Sequence, residues 1–208
     1  MKPYELYKLL RETKYNKDGL DVDWIIIPNP YEKKLRLLFQ GTASKEDVRI
    51  DLQFPVVPYK RQNVVWYGCK GWVKAYKSCN DKIMKLLVGY MEIFPGYTIE
   101  VAGHSLGGVY AIYAAEDIFY RFCIKPEVIT FGCPKCIWGK SSKNYMNSCF
   151  SSIKQYRNIN DFITYLPPFI GYKHINETLL DIKFKFSELF NVDSNHHIYG
   201  VEKYYKEG

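Results

Sequence analysis

The sequence predicts an α/β protein with a mostly parallel central sheet covered by helices on both faces. One observation is that strand-like β-branched runs alternate with segments whose apolar residues recur at helical spacing. Another is the composition: the 208 residues are 47% apolar and 25% charged, which excludes a disordered chain, a collagen and a coiled coil. A chain of this length buries roughly 70% of its unfolded surface, so its core needs neither disulfides nor metal. We expect one domain over residues 1–208.

The elements follow from apolar periodicity and from the glycines and prolines that interrupt it. Pro3 begins a short helix that reaches about residue 11. Residues 23–28 and 33–40 predict a hairpin, and residues 71–90 have the apolar spacing of a helix. The remaining predicted elements are a strand at 97–102, a helix at 106–122, strands at 127–131 and 152–158, and a closing helix at 196–205.

The charge balance suits an anionic partner, since 29 basic and 22 acidic residues give a net charge of +7. A basic stretch without acids lies between Glu127 and Asp161 and contains Lys135, Lys140, Lys143, Lys154 and Arg157. Nucleic acid, an anionic membrane and an ordinary solvated surface are the alternatives for it. We expect no nucleic-acid partner and retain peripheral contact with an anionic membrane. The oligomeric state is left open.

The cellular compartment is predicted from targeting signals and cysteine usage. Apolar runs such as residues 24–28 are far short of the roughly 20 residues that span a bilayer. Charged residues interrupt the first ten positions where a signal peptide needs an apolar core. We therefore expect a cytoplasmic protein with reduced cysteines. Cys133 and Cys136 form a C-x-x-C motif without a second ligand pair, so we interpret them as semi-buried thiols rather than a metal or redox site.

The sharpest motif is Gly103-His104-Ser105-Leu106-Gly107-Gly108, which follows a predicted strand and begins a predicted helix. This is the context of a nucleophile elbow, in which a sharp turn exposes the serine hydroxyl above the sheet edge. A Cβ at Gly103 or Gly107 would collide with neighbouring backbone. The alternative, a glycine-rich turn with an idle serine, is disfavoured by the strand before the motif and the helix after it.

A nucleophilic serine needs a base, and the base needs an orienting carboxylate. In this type of site the chain order is Ser, then Asp or Glu, then His. Asp161 follows a strand-like segment, where a triad acid belongs, although a turn-forming Asp has the same sequence context. The histidines beyond Ser105 are His174, His196 and His197.

From about residue 24 to residue 205, the sequence resembles the class 3 (fungal-lipase-like) family of α/β-hydrolases. The elbow and the acid loop, residues 157–167, are the most specific motifs. Residues 38–44 are similar to the family's oxyanion strand and loop, 51–54 to the segment that follows it, 69–76 to a helix start, and 130–135 to the strand after the elbow. Gln40 stands where Arg is usual in the family, and Cys69 stands where His is usual.

The resemblance implies a Ser-His-Asp triad on this chain's own residues. It makes Ser105 the nucleophile and Asp161 the acid, and it makes Thr42 and Leu106 the donors of oxyanion-hole N–H groups. His196 is the implied base because Tyr199 follows three residues later, and His197 is the alternative. His174 resembles a structural histidine, and His104 is expected to pack. No metal or organic cofactor is expected.

The function predicted from these residues is that of a serine carboxylester hydrolase, a lipase or phospholipase-like enzyme acting on lipid esters. The alternatives are a non-catalytic lipid- or protein-binding module and an acyltransferase that uses the same triad. Residues 43–54 lie where the family carries its lid. The segment is short, and residues 43–52 are more charged than apolar, whereas a lid that closes over an oil surface needs an apolar inner face. We expect a small or absent lid.

Overall fold

The computed structural model describes residues 1–15, 22–41, 54–185 and 191–205. Its strands are β1 (Trp24–Asn29), β2 (Lys34–Phe39), β3 (Val56–Lys60), β4 (Val65–Cys69), β5 (Thr98–His104), β6 (Glu127–Phe131), β7 (Ile137–Trp138), β8 (Ser152–Arg157), β9 (Tyr172–Lys173) and β10 (Glu177–Leu179). The described helices are α1 (Pro3–Glu12), α2 (Lys70–Ile93), α3 (Leu106–Phe122), α4 (Gly139–Ser148) and α5 (Val192–His196).

A six-stranded sheet lies at the centre, in the order β1-β2-β5-β6-β8-β10. The β1–β2 hairpin is antiparallel, with Trp24 opposite Phe39, and every other neighbouring pair is parallel. Pro28 is accommodated in β1 because this strand forms the edge of the sheet. The predicted hairpin, the predicted strands and the mostly parallel α/β architecture are confirmed.

Both faces of the central sheet are covered, as predicted. On β2, Leu35 and Leu37 belong to the larger core cluster, which also contains the apolar residues of α2 and α3. Leu38 points to the opposite face, where it joins Leu6 and Leu10 of α1 in a smaller cluster. Helix α3 is buried from its first residue to Ile118, which explains why its sequence is apolar around most of its circumference.

A second sheet, in the order β3-β4-β7-β9, was not predicted. It is entirely antiparallel, and β7 and β9 are only two residues long. Strands this short carry no readable alternation of apolar and polar residues. Helix α4 and strand β10 were also missed.

The predicted closing helix at 196–205 is wrong. Helix α5 ends at His196, and two short 3₁₀ turns follow it, at Ile198–Gly200 and Glu202–Tyr204. Side chains from distant parts of the chain bind the backbone carbonyls here: His104 donates to the carbonyl of His196, and Asn158 donates to that of Asn195. These tertiary contacts hold the segment in a shape that helical periodicity does not reveal.

No helix among the described residues is both long enough and apolar enough to cross a bilayer. The expected oxyanion donor Thr42 and nearly all of the expected lid segment, residues 43–53, lie outside the described residues.

Candidate active site

Ser105 occupies a sharp turn between the last residue of β5 and the first residue of α3. Its backbone has φ 55° and ψ −129°, a conformation that costs a non-glycine residue about 1–3 kcal/mol and persists only where the surroundings impose it. The Ser105 N–H donates to the carbonyl of Phe131 at 2.9 Å, which anchors the turn to β6. Strain of this kind at a serine is what a nucleophile elbow requires.

Close backbone contacts explain the glycines on either side of Ser105. A Cβ on Gly103 would overlap the carbonyl oxygen of Gly107, and a Cβ on Gly107 would lie 2.5 Å from the carbonyl oxygen of Phe39. The expectation that side chains here would collide with backbone is confirmed. Helix α3 can therefore begin directly against the ends of β2 and β5.

Asp161 lies in the loop after β8 and is completely buried. Its Oδ2 accepts hydrogen bonds from His196 Nδ1 and from the Tyr199 hydroxyl, each at 2.8 Å. Its Oδ1 accepts from the N–H of Ile163 at 3.1 Å, which caps the 3₁₀ turn Phe162–Tyr165. Three donors thus fix the orientation of the carboxylate that faces His196.

His196 is the histidine that reaches Asp161. Because a carboxylate oxygen only accepts, the proton of the neutral ring lies on Nδ1 and Nε2 carries a lone pair. His197 instead places its Nδ1 3.3 Å from the Tyr7 hydroxyl. His174 is buried elsewhere, with Nε2 2.9 Å from the carbonyl of Thr164. Of the predicted triad residues, the structure therefore brings Asp161 and His196 into direct contact.

His104 joins the elbow to the loop that carries His196. Its Nε2 lies 2.8 Å from the His196 carbonyl and donates to it, and the centroids of the two rings are 4.5 Å apart. Burial, reinforced by His196, holds the pKa of His104 well below its usual value, so the ring stays neutral. The residue immediately before Ser105 is thus bonded to the proposed base.

Gly132 lies at the same junction, directly after β6. A Cβ at this position would come within 3.0 Å of Asp161 Oδ2 and also of His196 Cε1. Its φ of 58° independently favours glycine. The absence of a side chain lets the Asp161–His196 pair approach the strand that anchors Ser105.

Of the two predicted oxyanion donors, the structure describes Leu106, and near Thr42 it describes the backbone as far as Gly41. A Cβ on Gly41 would come 2.8 Å from Ser105 Cβ, so the backbone following β2 runs directly against the elbow. Thr42 is the next residue and lies outside the described ranges. Leu106 is the first residue of α3, where a helical N–H has no acceptor within the helix and is available to an anion.

Two supporting residues were missed or undervalued by the sequence reasoning. Tyr199 was used only as a spacing marker, but its buried hydroxyl donates to Asp161 and accepts from the N–H of Asn158 at 3.1 Å. Asn158 also donates from Nδ2 to the Asn195 carbonyl at 3.0 Å, which holds the start of the acid loop against α5. The segment that contains Asn158 was visible in the sequence, but the hydrogen-bond partners Tyr199 and Asn195 lie more than 30 residues from Asn158.

The C-x-x-C motif contributes no visible metal site. Cys133 and Cys136 are fully buried, not semi-buried as expected, and burial raises the pKa of the Cys133 thiol well above its usual value. Within the described ranges, no group of three or more His, Cys, Asp or Glu side chains is arranged to hold a metal ion. Cys133 packs against Gly108 of the elbow helix.

The sequence matches known lipases. Residues 36–171 match the family model for lipase (class 3). The lipase of Rhizomucor miehei is 25% identical over 162 residues, which cover 76% of this chain and 44% of that protein. The lipase of Rhizopus niveus is 24% identical over 155 residues, 71% of this chain and 38% of that protein. The chain thus spans less than half the length of these curated relatives.

Solved structures agree with the sequence matches. A triacylglycerol lipase whose catalytic centre is described as a serine protease triad superposes with a TM-score of 0.70 at 25% identity, over 78% of this chain and 63% of that one. Lipase II from Rhizopus niveus superposes with a TM-score of 0.71 at 22% identity, over 80% of this chain and 64% of that one. These matches establish the α/β-hydrolase fold, and because the family model covers most of the chain, the protein belongs to the class 3 lipase family.

Proposed function

We propose that this protein is a serine carboxylester hydrolase that cleaves lipid esters. The observation that carries the proposal is the 2.8 Å hydrogen bond from His196 Nδ1 to the buried Asp161, on a segment that His104 joins to the strained serine of a nucleophile elbow. A lone elbow serine could be idle, but an oriented histidine–carboxylate pair joined to the elbow through His104 supplies the other parts of a nucleophilic triad. Membership of the class 3 lipase family supports the same assignment.

The proposed reaction begins with attack of Ser105 Oγ on the ester carbonyl. As the O–C bond forms, the serine proton moves to His196 Nε2, and Asp161 stabilises the resulting imidazolium. The backbone N–H groups of Thr42 and Leu106 bind the tetrahedral oxyanion. The loss of one such donor typically costs about 100- to 1,000-fold in rate. Collapse of the intermediate expels the alcohol, which takes the proton back from His196 and leaves an acyl-serine.

Water completes the cycle as the second nucleophile, and the Ser105 oxygen is now the leaving group. His196 removes a proton from the attacking water, the acyl-serine bond breaks, and the carboxylic acid leaves while Ser105 regains its proton. If an alcohol replaced the water, the product would be a new ester and the enzyme an acyltransferase. The proposed triad is equally compatible with both acceptors, so product analysis in the presence of added alcohol separates them.

We also propose that the substrate is presented at an anionic membrane. Of the basic stretch predicted from the sequence, Arg157 is buried and pairs with Glu177, so it offers no charge to a surface. Lys140 and Lys154 are exposed, and Lys135 and Lys143 are partly exposed. Each basic residue near a membrane surface contributes roughly 1 kcal/mol of attraction, which salt screens. The cytoplasmic location stays a prediction.

Turnover of soluble nitrophenyl esters by the wild type and by Ser105→Ala tests the proposal. The variant should lose up to about a million-fold in kcat while its fold is kept. Ser148→Ala on the surface of α4 is the matched control and should keep wild-type turnover. Wild-type protein that is folded and inactive on the whole ester series would instead favour a non-catalytic lipid- or protein-binding module.

A further inference from the structure

Apolar side chains protrude from the segment that leads out of the acid loop. Ile170 is 95% exposed and Phe169 is 51% exposed, so neither is used to fill the core. The position is well defined, because the N–H of Tyr172 donates to the carbonyl of Phe169 at 3.2 Å and closes a tight turn with Ile170 at its corner. The Phe169 ring packs edge-on against Phe54, with 5.9 Å between centroids. A fixed turn therefore presents a bare aliphatic side chain to the surroundings.

A second exposed apolar residue, Phe184, is tied to the beginning of the same loop. Asn160, which directly precedes Asp161, donates from Nδ2 to the carbonyl of Lys183 at 3.0 Å and accepts from the N–H of Lys185 at 2.9 Å. Phe184 lies between these two anchored residues and is 53% exposed. The acid loop thus has an exposed apolar residue fixed near each of its ends.

Lysines accompany both apolar positions. Lys173 lies in β9, directly after the turn, and pairs with Ile137 of β7. Lys135, two residues before Ile137, donates its backbone N–H to the carbonyl of Leu166 at 2.7 Å. Lys183 flanks Phe184 and is exposed. Apolar side chains next to cations are the combination that inserts at the level of lipid headgroups, since the apolar groups enter the acyl boundary and the ammonium groups meet phosphates.

We propose that Phe169, Ile170, Lys173, Lys183 and Phe184, here called the acid-loop rim, form a docking surface for a bilayer that contains anionic phospholipids. The proposal rests on the proposed function, since docking beside Asp161 would bring the candidate site to esters in the membrane. A protein partner would have to match single apolar side chains that are set apart on two segments. A bilayer accepts them at any spacing, and the accompanying positive charge selects anionic lipid.

Vesicle sedimentation tests the docking surface without turnover. The Ser105→Ala background prevents lipid cleavage, and the probes are phosphatidylcholine vesicles with and without phosphatidylserine. We expect preferential binding to the anionic vesicles, a roughly 10- to 100-fold loss of affinity in Ile170→Ser, and a larger loss when Phe184→Ser is added. Lys173→Gln should cost roughly fivefold at low salt and less at high salt.

Ile93→Ser is the matched control. Ile93 is 69% exposed, but it is the last residue of α2 and precedes β5, whereas the residues of the acid-loop rim flank the loop that carries Asp161. This variant should bind vesicles like its parent, and circular dichroism should show the same fold in every variant. Equal losses in Ile93→Ser and Ile170→Ser, equal binding to neutral and anionic vesicles, or no vesicle binding alongside rim-dependent self-association would each overturn the proposal.

Wild-type hydrolysis of a soluble short-chain ester separates this inference from the proposed function. Rim-dependent vesicle binding by a protein without esterase activity would contradict the hydrolase and uphold the docking surface. Esterase activity together with vesicle binding that is unchanged by the acid-loop rim substitutions would contradict only the docking surface.

Discussion

His104 Nε2 donates a hydrogen bond to the backbone carbonyl of His196, 2.8 Å away, and so connects the elbow to the loop of the proposed base. The His104 ring also contacts Tyr7 of α1 edge-on, at 5.2 Å between centroids. Helix α1 therefore packs against the residue that holds the His196 carbonyl. The position of His196 depends on Tyr7, His104 and Asp161, which come from three distant segments.

Replacement of His104 should consequently impair turnover without touching the triad. We expect His104→Ala to lower kcat by roughly 10- to 100-fold, because the base loses its fixed position relative to Ser105. His104→Gln keeps a side-chain N–H and should recover part of that loss. Steady-state kinetics on a soluble ester, with thermal unfolding as a folding check, measures both variants. A folded His104→Ala with wild-type kcat would show that this hydrogen bond does not position the base.

The two adjacent histidines should differ sharply in mutagenesis. His196→Ala removes the ring that is bonded to Asp161 and should resemble Ser105→Ala in kcat. His197→Ala removes only the contact with the Tyr7 hydroxyl and should lose much less. The pair is compared by kcat on one nitrophenyl ester. The reverse order of effects would assign the base to His197.

The buried His174 should make stability depend on pH. Burial, followed by the nearby Arg157, lowers the pKa of His174 from an ordinary 6.5 to about 4. Between these two values the unfolded chain binds a proton that the folded chain excludes. The contribution of the neutral His174 to the free energy of unfolding is therefore fully present above pH 6.5. It falls as the pH drops towards 4, by about 3 kcal/mol in total.

Urea unfolding across this pH range checks the prediction. His174→Gln keeps a donor for the Thr164 carbonyl but has no titrating ring. Its stability relative to the wild type should improve steadily from pH 6.5 to pH 4. His104 is also buried with a lowered pKa, but it is present in both proteins and cancels in the difference. A difference that stays constant over this range would mean that His174 does not titrate between the folded and unfolded states.

The short, charged segment at residues 43–54 predicts weak interfacial activation. Soluble short-chain esters should be cleaved below their aggregation limit, because a small lid leaves little apolar surface to be displaced by an interface. Turnover is measured across the solubility limit of one ester. A rise of roughly tenfold or more at the limit would indicate a substantial lid.

The sequence alone was sufficient to predict the features that are formed by residues close together in the chain. Ser105 lies in a six-residue motif whose glycines, strand and helix all act within a few positions, and the structure has the same strand, turn and helix. The Asp161–His196 contact joins residues 35 positions apart and was implied only by a family resemblance. The contact of His104 with the His196 carbonyl spans 92 positions and gave no local signal. The same long-range contacts explain why the closing helix was predicted wrongly.

The central claim is that Ser105 is an activated nucleophile, and titration with a fluorophosphonate followed by intact-mass and peptide analysis tests it most directly. A serine made nucleophilic by an oriented histidine attacks such a probe, whereas an ordinary serine hydroxyl does not. The account predicts one adduct per chain, located on Ser105, retained in Ser148→Ala and lost in Ser105→Ala and His196→Ala. Folded wild-type protein that forms no adduct, or forms it at another residue, would contradict the account.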